Sequence, residues 1–519
     1  MDYGSYRTSQ FVVELNRNIV VPGDFHRYLF VENAEGYIRH PGGTKDDPIS
    51  IINGSPLDEA ADDSEDVLIS MNSIFHEVTH LVQDYSVGSE MLRDMLGDSI
   101  SVLSYGILNE RGKWGMDSEL PLIESLKNNI SADLEVNRLI EQYKVIYESY
   151  TLVKLEDDEG NFEIPISTDD LLEAYAAARS YYLMITVETI EYKESDLNSR
   201  FFINNLSEAY KRVWRIYKRF CRFEEKNYSG RKMTQNLQNE LNGFLLLCDI
   251  SLHIPPFLND ESGNGINGVP KCCIPFERFI SAIFTLNKNG GFPDAVKGTD
   301  FYITLYDLIA TDNGWPIFKD VADSWKNLLR SRMYYRFMIS DLYRFLVLNY
   351  KGQKPNGIIF ENLKDIFAST GIPVLVRYYD NERETSFFEY VHLWNNNCAI
   401  VMDDMPISPM RDPWIIMKNY YNEWDYPTLL NKVEKEGYKH VLELTPAFLR
   451  EIYCRIIFKA FFRAIMEKNG FCCPLEQMNC QVKMKSCKCL KKLTTLPESC
   501  CLKMWMDDLK INPHYVYWR

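Results

Sequence analysis

The 519-residue chain is 46% hydrophobic and 25% charged, with a formal net charge of −16. That much apolar material excludes bulk disorder, and the length predicts several domains rather than one core. The acidic balance argues against general binding to nucleic acid, which needs clustered Lys and Arg against phosphate.

Residues 1–60 read as an N-terminal β-rich segment, with short strands predicted at Phe11–Leu15 and Asn18–Val21. The start has no basic stretch followed by an apolar one, as a secretory signal would. No apolar run approaches the ~20 residues of a membrane span. The expectation is a cytoplasmic protein without a membrane span. Residues 61–255 form the next region. Its first helix is predicted from about Asp66 to Tyr85, because Val67, Met71, Ile74, Phe75, Val78, Leu81, Val82 and Tyr85 fall on one helical stripe. Asp62, Asp63 and Ser64 supply caps and favourable charge at its N-terminus. A second helix follows in "GSEMLRDMLGDSISVLSYGIL", and helical patterns continue near 119–150.

The run "TLVKLEDDEGNFEIPI" reads as a β-hairpin around Asp-Glu-Gly-Asn. Directly after it, Ser167 and Asp170 form a capping-box pattern with Asp in place of Glu, opening an alanine-rich helix. Further helices are predicted at 203–224, 231–250 and 274–288, with a turn-rich boundary before the last of these. Residues 270–440 read as an accessory α+β region, helical over 316–350 and strand-like in "GIPVLVRYYD" and "FFEYVHLWNNNCAIVMDD". Residues 441–519 read as a helix and a Cys-rich tail. The fold class is mainly α with minor β.

The motif that carries chemistry lies on the first of these helices, as His76-Glu77-Val78-Thr79-His80. Positions i and i+4 share a helix face, so His76 and His80 can offer imidazole nitrogens to one metal ion. Glu77 sits beside them, turned away from direct ligation, where a general base acting on water is needed. Ser73, His76, His80, Gln83 and Asp84 make a polar face next to the apolar stripe, suited to opening on a cleft. Against this stands the plainer reading of a polar run on an ordinary helix, since five-residue motifs with three fixed positions recur by chance.

The HExxH segment resembles the zincin metallopeptidases. The metzincin extension HExxHxxGxxH is not met, because Gln83 and Ser86 occupy the Gly and last His positions. A thermolysin-like glutamate is also missing, since position 100 is Ile. The stretch "LLEAYAAARSYYLM" resembles the ExxA-type ligand helix of several gluzincin groups, with Glu173, Ala174 and Ala176 as its core. "HLVQ" after the second histidine is similar to HExxHxxQ proteins that carry such a helix. The acidic residue that usually follows that core is replaced by Ala177. The match covers about 40 residues. The resemblance implies a zincin-like helical catalytic core plus an accessory α/β region, with Zn²⁺ held by His76, His80 and Glu173 and with Glu77 as the catalytic base. It implies a peptide or protein substrate. Glu90, Asp94 and Asp98 are nearer candidates for the third ligand. Tyr175, Arg179, Tyr181 and Tyr182, near Glu173 in sequence, are candidates to stabilise an oxyanion. The alternative function is a catalytically inactive metal-binding scaffold or interaction protein.

Seven of the 13 cysteines lie between Cys472 and Cys501, but no CxxC pair occurs there, so thiolate zinc ligation has no regular spacing. The chain shows no P-loop, dinucleotide-binding glycine fingerprint or GxSxG elbow. His392 and Cys398 fall in strand-like runs and read as structural residues.

Overall fold

The fold is given by a computed structural model. It describes residues 4–7, 12–16, 64–97, 134–157, 160–191, 208–221, 231–256, 269–292, 301–336, 341, 344–345, 347–348, 374–379, 387–393 and 398–402. These residues are mostly helical, with minor β structure. Two strands come first, β1 (Gly4–Arg7) and β2 (Val12–Asn16). Helix α1 (Ser64–Ser86) carries the HExxH motif, and α2 (88–97) follows after a single non-helical residue. Helix α3 (Leu134–Tyr143) runs into a π-helical turn at Lys144–Glu148. The hairpin is β3 (Tyr150–Asp157) and β4 (Gly160–Ser167), and α4 (Thr168–Glu191) starts at the next residue. Then come α5 (Glu208–Cys221), α6 (Arg231–Leu252), α7 (Pro275–Lys288), α8 (Phe301–Asn313) and α9 (Phe318–Arg336). Strands β5 (Val374–Tyr379), β6 (Phe387–Leu393) and β7 (Cys398–Met402) complete the described elements.

Helix α4 is the centre of the bundle. It packs against α1 on one side, α6 on another and α5 on a third. Leu171, Leu172, Ala174, Tyr175, Ala176, Ala177 and Ala178 are all buried. Within 171–178 only Glu173 keeps partial exposure, and the short alanine side chains let neighbouring backbones approach closely. The apolar stripe of α1 behaves as its spacing predicts, with Phe75, Val78, Leu81, Val82 and Tyr85 buried.

The start of α4 is fixed by local chemistry. The Ser167 backbone N–H donates to Asp170 Oδ2 at 2.9 Å, and the Asp170 N–H donates to Ser167 Oγ at 3.1 Å. This is the reciprocal capping box that the sequence predicts. Thr168 Oγ1 donates to the Ile146 carbonyl, Arg93 of α2 pairs with Asp169, and Arg212 of α5 stands 3.6 Å from Asp170. The first turn of α4 is therefore tied to three other parts of the chain.

The hairpin is antiparallel and in register from Tyr150↔Ser167 to Asp157↔Gly160. A second sheet has the order β1-β2-β5-β6-β7, with β2 and β5 parallel and every other pair antiparallel. Helix α1 packs on β1 and β2, so this sheet lies beside the motif helix. His392 and Cys398 sit on β6 and β7, in the strand-like runs that the sequence predicts.

Residues beyond 300 also reach the motif region. Arg344 donates from Nε to the Asp84 carbonyl at 3.0 Å and from Nη1 to Asp94 Oδ2 at 2.8 Å. Trp325 Nε1 donates to the Ile254 carbonyl at 2.7 Å. A Cβ on Gly88 would stand 2.3 Å from that same carbonyl oxygen, so only glycine lets α2 begin there.

Helix α8 has no counterpart among the elements that the sequence predicts. Its buried stripe, Tyr302, Leu305, Tyr306, Ile309 and Ala310, has helical spacing, but it is rich in aromatic and β-branched residues of weak helix propensity. The predicted strand Asn18–Val21, the caps Asp62 and Asp63, and the C-terminal helix and Cys-rich tail of 441–519 lie outside the described residues. Among the described residues, no helix is long and apolar enough to cross a membrane.

Candidate metal centre

Helix α1 places His76 and His80 one turn apart on the side facing α4. Their rings meet edge to face, with centroids 4.7 Å apart at 85°. The two Nε2 atoms are 3.1 Å apart. Glu173, in the second turn of α4, brings Oε2 to 3.2 Å from His76 Nε2 and 3.4 Å from His80 Nε2. The three residues are the one such group of His, Cys, Asp and Glu among the described residues.

The size of this triangle has a chemical meaning. Tetrahedral ligands at the ~2.0–2.1 Å bond lengths of zinc stand about 3.3 Å from one another. The three edges here, 3.1, 3.2 and 3.4 Å, straddle that separation. The donor set also fits: two imidazoles and one carboxylate are three protein ligands, leaving a fourth position for a water or substrate. Solvent reaches that side, because the Glu173 side chain is 41% exposed while each histidine side chain is 14% exposed.

The electrostatics of the group are those of a tightly coupled set. Burial disfavours charge on Glu173, but hydrogen bonds and charge from His76 and His80 outweigh it and hold the carboxyl well below its usual range. Burial likewise disfavours charge on His80, but Glu173 outweighs it and pushes the imidazole up to about 9. Glu77 adds to that shift through its negative charge. Glu77 itself is buried, on the turn that carries both histidines.

The polar face of α1 opens less widely than its sequence suggests. Only its first part, Ser73, His76 and His80, keeps partial exposure. Gln83 and Asp84 are buried. Gln83 lies between α1 and α4, with Oε1 2.8 Å from His80 Nδ1 and Nε2 donating to the Leu172 carbonyl at 3.1 Å. The pattern H-x-x-Q was visible in the sequence, but no partner for the glutamine was.

The nearer acidic candidates stand elsewhere. Asp94 is buried in the ion pair with Arg344. Glu90 is buried 3.6 Å from Arg93, and burial pushes its carboxyl up to about 7 against the opposing charge of Arg93. Asp98 lies outside the described residues. Tyr175 and Arg179 are buried, and the electrostatic neighbours of the Tyr175 hydroxyl are Asp249, Arg179 and Cys248. They therefore face α6, away from Glu173. Tyr181 is buried as well, and the Arg179 guanidinium lies 5.9 Å from the Tyr182 ring centroid. A helix turns residues that are neighbours in sequence to different faces, so Tyr175 and Glu173 do not share one.

No protein family's sequence profile matches the chain, and no curated protein or solved structure is significantly similar to it.

Proposed function

We propose that this protein is a zinc-dependent metallopeptidase of the gluzincin type, with a zincin-like helical core and an accessory α/β region. It would hydrolyse peptide bonds in a specific protein or peptide substrate. The observation that carries this reading is the convergence of His76 Nε2, His80 Nε2 and Glu173 Oε2 to within 3.1–3.4 Å of one another. The donors come from two helices far apart in sequence, and the group is partly open to solvent, as a catalytic rather than a closed structural zinc site requires.

In this reading His76, His80 and Glu173 would hold Zn²⁺, which would supply Lewis-acid polarisation of the scissile carbonyl and a bound water with its pKa lowered toward ~7. Glu77 accepts the proton of the attacking water on its carboxylate and delivers it to the leaving amine. It is buried on the turn that carries both histidines, and its negative charge acts on His80. The large part of the chain beyond 255 would select the substrate or control access to it.

Replacing Glu77 by Gln tests the assignment. The variant should bind zinc as the wild type does and lose peptidase activity by about 10²–10⁴-fold, the range of general-base catalysis. Full activity in Glu77→Gln would contradict the mechanism. A zinc-loaded wild type with no turnover across a broad peptide library would favour the alternative of a metal-binding scaffold.

A further inference from the structure

We infer that Gln83 is a positioning residue of the metal centre, setting the tautomer of His80 and holding the ligand helix α4 at the right distance. The inference rests on the zinc-site reading above and adds a residue with a separate role.

The direction of the hydrogen bonds carries it. The Leu172 carbonyl can only accept, so the Gln83 amide nitrogen, 3.1 Å away, must face it. The opposite amide orientation would set two carbonyl oxygens against each other. With the nitrogen committed, Oε1 faces His80 Nδ1 at 2.8 Å. That oxygen can only accept, so His80 Nδ1 must carry a proton. In the neutral ring the lone pair is then on Nε2, the atom 3.1 Å from His76 Nε2 and 3.4 Å from Glu173 Oε2. Gln83 therefore presents His80 to the metal through the required nitrogen, as outer partners of ligating histidines do.

The same side chain has a second effect. Leu172 immediately precedes Glu173, so one amide ties a ligand on α1 to the backbone next to the ligand on α4. Gln83 is 1% exposed, so water does not compete for either bond. A loss of this bridge frees both the ring orientation of His80 and the separation of the two helices at the site.

The test is zinc affinity by chelator competition on the full chain, with the visible spectrum of the cobalt-substituted protein as a second readout. Gln83→Met keeps the length and removes both hydrogen bonds. Gln83→Glu keeps an acceptor for His80 Nδ1. The expected result is a 10–100-fold loss of affinity in Gln83→Met, with altered cobalt bands and an unchanged far-ultraviolet circular dichroism spectrum. Gln83→Glu, which cannot donate to the Leu172 carbonyl, should still lose less affinity than Gln83→Met and keep the wild-type bands. Wild-type affinity in Gln83→Met would overturn the inference while leaving the metal site standing. Equal losses in both variants, tracking a loss of helical signal, would overturn it in favour of simple packing. A wild type that binds no more zinc than His76→Ala would overturn the zinc reading and this inference together.

Discussion

Glu173 lies 97 residues beyond His76, yet its Oε2 stands 3.2 Å from His76 Nε2. The contact exists because α4 runs through the centre of the bundle against α1. Glu173→Asp withdraws the carboxylate by one methylene and should weaken zinc binding by at least tenfold, with little change in fold. Chelator competition measures this, and wild-type affinity in the Asp variant would show that Glu173 is not a ligand.

The capping box at Ser167 and Asp170 should act on both stability and the site. Ser167→Ala removes a cap and should cost about 1 kcal/mol. Because Glu173 follows in the second turn, fraying there should also loosen metal binding. Urea denaturation and zinc titration of the same variant check the two effects. A variant destabilised as expected, with zinc affinity untouched, would show that the Arg93 and Arg212 contacts hold the helix start unaided.

Arg344 is fully buried and paired with Asp94 at 2.8 Å, across 250 residues of sequence. Arg344→Met leaves the Asp94 carboxylate buried without this partner, a change that costs about 3–5 kcal/mol. The double variant Arg344→Met/Asp94→Leu should recover part of that loss, because the Asp94 charge is gone while the buried Asp341, 3.6 Å from Arg344, still loses that neighbour. Thermal or urea unfolding of the two variants measures the difference. Equal stability of single and double variants would contradict the pairing.

Glu90 gives a pH dependence with a definite sign. Burial holds its folded carboxyl near 7, above the ~4.3 of an unfolded glutamate. Between these values the folded chain keeps a proton that the unfolded chain has lost. The Glu90 contribution is therefore present below about pH 4.3, falls as pH rises, and is gone above about 7. Glu90→Gln should remove this component, so its stability should decline less between pH 5 and pH 8 than the wild type's. Identical slopes in the two proteins would refute it.

Local chemistry was legible in the sequence. The stripe of α1, the β3–β4 hairpin and the Ser167–Asp170 cap all depend on residues a few positions apart, and each has a spacing or turn signature. The pairing of Glu173 with His76 and His80 was suggested by a motif resemblance and by small alanines, and the folded chain brings those atoms together. Other relations had no local signal. The parallel pairing of β2 with β5 joins residues more than 350 positions apart. The burial of Gln83 and Asp84, the capture of Asp94 by Arg344 and the turning of Tyr175 toward α6 follow from packing partners that no short pattern specifies.

Whether His76, His80 and Glu173 hold one zinc ion is decided by zinc content and zinc-edge X-ray absorption of the full chain, purified without chelator, beside the variant His76→Ala/His80→Ala/Glu173→Ala. The difference between the two proteins isolates this site from any zinc held by the cysteines. The account predicts one more zinc per chain in the wild type, with two imidazole nitrogens and oxygen ligands at about 2.0–2.1 Å. Equal zinc content in the two proteins would contradict it.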